Sequence, residues 1–118
     1  MGRRATDLIV DLLGKRREVT AVLVECKDGA AWHIGGEALA RVGDAAPGTT
    51  PAHCEIAITA GTNTPAEKAR MIAAAHALLT ETLGGVPEAS YVVIRELPAE
   101  NWGYAGRTQA SRHPGATL

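Results

Sequence analysis

The sequence predicts an α+β (α/β) fold made of two tandem β-α-β units, the first lacking its opening strand. Three observations predict it. Residues 5–36 recur as residues 75–106 at a constant offset of 70, with no gap. Residues 64–83 carry a complete set of helix start, face and stop signals. Two strand-like runs, His53–Thr59 and Tyr91–Ile94, flank that helix.

The repeat comes first because it organises everything else. Ala5 falls on Ala75, Leu8 on Leu78, Leu13 on Leu83 and Gly14 on Gly84. Glu18 falls on Glu88, Val22 on Val92, Trp32 on Trp102 and Gly36 on Gly106. These are eight identities in 32 positions, and they include both tryptophans of the chain. Each unit reads as helix, turn, strand and loop.

In the second unit, Thr64-Pro65-Ala66-Glu67 is a helix start. Thr64 can cap, Pro65 suits the first helical position, and Glu67 completes a capping box. Met71, Ile72, Ala75, Leu78, Leu79 and Leu83 recur at steps of three and four and predict one apolar face. Gly84-Gly85 ends the helix, because glycine tolerates the left-handed conformation there. Tyr91 to Ile94 then reads as a buried strand, parallel to His53–Thr59 through a right-handed crossover.

The first unit has the helix and strand of this pattern within residues 1–36, but no lead-in strand. Its helix begins near Arg3, whereas the second unit begins near Pro51. By the offset, the counterpart of Pro51 would lie about 20 positions ahead of Met1. One strand and half a helix are therefore expected to be missing. Residues 37–50 read as the linker, residues 51–106 as the complete second unit, and residues 107–118 as a polar tail of one overall domain.

The bulk numbers narrow the function. With 118 residues the chain builds one modest core. Twelve basic and 13 acidic residues leave a net charge of −1, which argues against nucleic acid as a partner. The basic patches Arg3-Arg4 and Lys15-Arg16-Arg17 read as solvated surface or as an anion site. No apolar run reaches the roughly 18 residues of a membrane span. Cys26 and Cys54 have no metal-binding spacing and sit in apolar runs. They read as buried free thiols of a reducing cytoplasm.

At "AHCEIAITAGTNTPAEKARMIAAAHALLTETLGG" and "SYVVIRELPAENWGYAG" the chain resembles the 4-oxalocrotonate tautomerase family, in particular its fused members with two β-α-β units. The stretch Glu96-Leu97-Pro98-Ala99-Glu100-Asn101-Trp102-Gly103 carries most of the resemblance, and Ala31-Trp32-His33-Ile34-Gly35-Gly36 is its counterpart. The resemblance covers residues 5–36 and 51–107. It implies a four-stranded sheet backed by two helices, and a homotrimer. It also implies tautomerisation of small enol or keto acids, such as 2-hydroxymuconate-like or phenylpyruvate-like compounds, without metal or organic cofactor. The implied base is an N-terminal proline whose amine, lowered from its ordinary value, is neutral at pH 7. Arginines would hold the carboxylate, and an aromatic ring would wall the pocket.

Several of these parts depart from the family pattern. Gly2 follows Met1, and the nitrogen of Pro51 lies in an amide. Gly61-Thr62 stand where one arginine is implied, and Ala21 and Tyr91 where another is. The aromatic position is kept twice, as Trp32 and Trp102. No catalytic residue is therefore assigned: either the natural chain begins about 20 residues earlier with Met-Pro, which the internal symmetry favours, or it begins at Met1 and the Gly2 amine or a side chain acts weakly as the base. Candidate substrate-binding residues are Trp102, Trp32, Arg95, Tyr91 and His33. Each has a structural reading beside the functional one. The tryptophans also suit plugs at a subunit interface, Arg95 and Arg107 suit ion pairs, and His33 and His76 suit structural roles. Two functions stay open: an isomerase, impaired for want of the proline, and a non-catalytic subunit or binding module whose open sheet edge pairs with another chain in a heteromer.

Overall fold

The computed structural model describes residues 1–27, 29–39, 46 and 48–112. Helix α1 spans Gly2–Leu13 and α2 spans Pro65–Leu83. Strands β1 (His33–Ile34) and β2 (Glu37–Ala38) form one hairpin, and β5 (Gly103–Tyr104) and β6 (Arg107–Thr108) form another. Strands β3 (His53–Thr59) and β4 (Tyr91–Leu97) are the long pair. A four-residue helix, α3, follows at Gln109–Arg112.

The β3-α2-β4 unit is parallel, as the sequence predicts. His53 registers with Tyr91 and Thr59 with Leu97. Thr64 Oγ1 accepts from the Glu67 amide at 3.1 Å, while Glu67 Oε1 accepts from the Thr64 amide at 2.8 Å. Two amides that the helix cannot satisfy internally are thereby paired. The core lies under one face of the sheet. Leu13, Ile56, Ile58, Met71 and Ala75 are buried together, with Leu8, Ile9, Leu12, Cys54, Val92 and Ile94 packed against them. Alternation explains the choice, since Cys54, Ile56 and Ile58 share the helix side of β3.

The duplication survives as backbone geometry. Gly14 closes α1 with φ 69° and Gly84 closes α2 with φ 71°. Each amide reaches back four residues, to Val10 O and Thr80 O. Both hairpins turn on two residues of positive φ, Gly35-Gly36 and Ala105-Gly106, the hairpin geometry that matches strand twist. The amide of Leu39 donates to Trp32 O, and that of Gln109 to Trp102 O, both at 2.9 Å.

Several expectations are corrected. The long sheet within the chain has two strands, among the described residues, rather than four. The first unit's strand, expected around Val22, is not formed. Residues 20–27 carry no strand pairing, and Leu23 is 82% exposed. A parallel strand needs a neighbour to complete its ladder, and this segment finds none among the described residues. For the same reason Cys26 is exposed rather than buried. Ile72, placed on the apolar face of α2, is 40% exposed. Glu37–Ala38, placed in the linker, fold into β2, and the rest of that linker is largely outside the described residues. Residues 107–112, placed in the polar tail, form β6 and α3, and residues 113–118 are outside the described residues.

Candidate functional site

The face of the long strand pair away from the helices carries His53, Glu55, Ala57 and Thr59 on β3, and Tyr91, Val93, Arg95 and Leu97 on β4. Arg95 NH1 donates to Glu55 Oε1 at 3.0 Å, and His53 Nε2 lies 3.8 Å from Glu55 Oε2. All three side chains are substantially exposed. Tyr91 begins β4 and is 65% exposed. At ~3.3 Å per residue it stands about 20 Å from Leu97, at the opposite end of the face from Trp102.

Trp102 precedes β5 and is partly buried. Its Nε1 donates to Thr59 Oγ1 at 3.1 Å, so the second hairpin is tied to the end of β3. Trp32 holds the equivalent place before β1. With Lys27, Ala31 and His33 it lines a shallow depression built from the first unit alone. His33 is exposed. His76 is also exposed, with Nε2 3.4 Å from Thr80 Oγ1. The candidates thus lie in three places rather than in one pocket: Arg95 and Tyr91 along the open face, Trp102 at its end, and Trp32 with His33 on the other hairpin.

The end of the face near Trp102 holds groups that sequence reasoning passed over. Thr62, where the resemblance implies an arginine, accepts from Lys15 Nζ at 2.8 Å. Its own hydroxyl reaches Thr59 O at 2.6 Å. Burial pushes the Lys15 ammonium below its ordinary value, and the nearby Glu67 carboxylate opposes this in part. Arg16 NH1 donates to Tyr104 Oη at 3.3 Å. The guanidinium of Arg112 lies 3.8 Å from the centroid of the Tyr104 ring, and its NH2 donates to Tyr104 O at 2.8 Å. Only the basic triplet Lys15-Arg16-Arg17 hinted at this gathering in the sequence. Lys68 pairs with Glu96 on the neighbouring edge and holds that carboxyl below the usual range.

Among the described residues, no three His, Cys, Asp or Glu side chains gather as a metal site. None of the helices described is long and apolar enough to cross a membrane.

The model of a family described as tautomerase enzyme matches residues 53–111, from the start of β3 into α3. The chain belongs to the tautomerase family. The match takes in the whole capped β-α-β unit and the hairpin of Trp102.

Solved structures agree with this tautomerase fold. A wild-type fused 4-OT that forms a symmetric trimer superposes with a TM-score of 0.75 at 21% identity, covering 93% of this chain and 82% of its own. A native fused 4-OT gives 0.70 at 26% identity, covering 92% of this chain and 82% of its own. A member of the cis-3-chloroacrylic acid dehalogenase family gives 0.68 at 21% identity, covering 98% of this chain and 78% of its own. None of the curated proteins matches the chain.

Proposed function

We propose that this tautomerase-family chain is an isomerase that moves a proton within small enol or keto acids. The observation that carries the reading is the family match over residues 53–111, which includes every element of the second unit. On this reading Trp102 walls the acid at the end of the open face, Arg95 and Tyr91 offer a cation and a ring further along it, and Trp32 with His33 serves a second, degenerate subsite. Assembly as a homotrimer belongs to the same reading and is supported by the symmetric trimer of a fused 4-OT.

A second reading is a non-catalytic tautomerase-fold subunit. The exposed apolar run Val22-Leu23-Val24 favours it, since such a run suits pairing with another chain.

The deciding experiment is ketonisation of phenylpyruvate and of 2-hydroxymuconate, followed by absorbance at pH 7. The assay accompanies the intact mass and N-terminal sequence of the same sample. The isomerase reading expects turnover above the buffer rate from this sample. Buffer-rate decay from a sample that purifies as a stable heteromer would establish the second reading instead.

A further inference from the structure

Val19, Val22, Leu23 and Val24 lie exposed together in the segment after α1. The internal repeat says what covers such a run. Val22, Leu23 and Val24 are the counterparts of Val92, Val93 and Ile94. In the second unit those three register in parallel with Cys54, Glu55 and Ile56 of β3, and all three are partly buried. The helices carry the same difference. Ala75 and Leu78 of α2 are buried, at 4% and 6% exposure, whereas their counterparts Ala5 and Leu8 of α1 are only partly buried. The same side chains differ in cover because the second unit has a long strand pair and the first has none among the described residues.

The charge of the run departs from its template. On the open face of the second unit Arg95 donates to Glu55 at 3.0 Å, a diagonal pair across the two strands. The counterpart of Arg95 is Glu25. A strand laid on residues 20–27 as β3 lies on β4 would bring its residue at the Glu55 position toward a carboxylate. The β3 strand of a second copy would set Glu55 against Glu25, like charge against like. A cation at that position restores the pair with its sign reversed. Glu25 meets Lys27 at 3.1 Å, and both side chains are well exposed. Such a surface pair stabilises little and yields to a better-placed partner.

We propose that residues 20–27 are a docking edge for one parallel β-strand of a different chain, a strand apolar at two alternate positions that face α1 and carrying Lys or Arg between them, toward Glu25. Main-chain hydrogen bonds supply the affinity and the alternating side chains supply the specificity. The proposal rests on the heteromer reading for the partner being a separate chain, and the reversed charge is what sets that partner apart from a second copy.

The test uses the full chain and two synthetic peptides. One copies residues 51–60 with Cys54→Ala, and the other adds Glu55→Lys. Binding is followed by calorimetry, and its place by hydrogen exchange of the amides of residues 20–27. The lysine peptide is expected to bind saturably, to protect those amides, and to bind about tenfold more tightly than the glutamate peptide. Glu25→Lys in the full chain should reverse the preference, and Val24→Lys should abolish binding of both peptides. Circular dichroism spectra confirm that each variant is folded. No binding of the lysine peptide, equal affinity of the two peptides, or a preference that survives Glu25→Lys would each overturn the edge. Protection of residues 20–27 in the chain alone, at the mass of a dimer in solution, would overturn it by showing a second copy as the occupant. Turnover of phenylpyruvate is scored separately, so failure of either functional reading is distinguishable from failure of the edge.

Discussion

The indole N–H of Trp102 donates to the hydroxyl of Thr59 across 3.1 Å, linking the second hairpin to the last residue of β3. Both partners are partly buried, so removing the acceptor leaves an indole N–H with little water to replace it. Thr59→Val keeps the shape and removes the oxygen. It is expected to cost about 1 kcal/mol in urea denaturation and to shift tryptophan emission, while Thr59→Ser keeps most of the stability. Equal midpoints for Val and Thr at this position would show that the bond contributes nothing.

The second hairpin depends on a glycine that its counterpart lacks. A Cβ on Gly103 would fall 1.9 Å from Arg107 O, deep inside van der Waals contact. The first unit has His33 at this position, so the two hairpins are not interchangeable in detail. Gly103→Ala is expected to break the pairing of β5 with β6 and to release Trp102 from Thr59. His33→Gly should be tolerated. Backbone amide shifts of residues 102–109 would report the difference, and unchanged shifts in Gly103→Ala would refute it.

Much of this was legible in the sequence because local chemistry fixed it. Thr64, Pro65, Glu67 and Gly84 each act within one helical turn, and the helix begins and ends where they place it. The parallel strands followed from their flanking runs and the crossover. The strand expected near Val22 was not legible, because the same apolar letters need a neighbouring strand that only tertiary structure supplies. The contacts of Lys15 and Arg16 were invisible for a related reason. Lys15 and Thr62 are 47 residues apart, and Arg16 and Tyr104 are 88 apart. No periodicity links them.

The capping box makes a pH-dependent contribution. The Thr64 amide, and then Asn63, hold the Glu67 carboxyl below its usual range. A carboxylate depressed in the folded state stabilises above its unfolded value, about 4.3, and loses that contribution as pH falls through the folded value. Glu67→Gln is therefore expected to flatten the fall in stability below about pH 4.3 relative to the parent chain. Thr64→Ala should cost about 1 kcal/mol at neutral pH. Melting temperatures from pH 3 to pH 7 test both, and an identical acid limb in Glu67→Gln would remove the box from the account.

Leu13 decides whether the two units melt together. It ends α1 at 3% exposure, yet it packs with Ile56 and Ile58 of β3 and with Met71 and Ala75 of α2. Its carbonyl accepts from Asn63 Nδ2 at 2.9 Å, so the end of the first helix is also held by the loop before the second. One apolar cluster therefore spans the duplication, and neither helix is buried without the other. Leu13→Ala leaves a cavity with little room to collapse and is expected to cost 2–5 kcal/mol, roughly. That loss should appear as one transition shifted as a whole, with far-ultraviolet ellipticity and tryptophan fluorescence changing together. Separate transitions, with the Trp102 signal surviving the loss of α1, would show instead that residues 51–112 fold as a unit of their own.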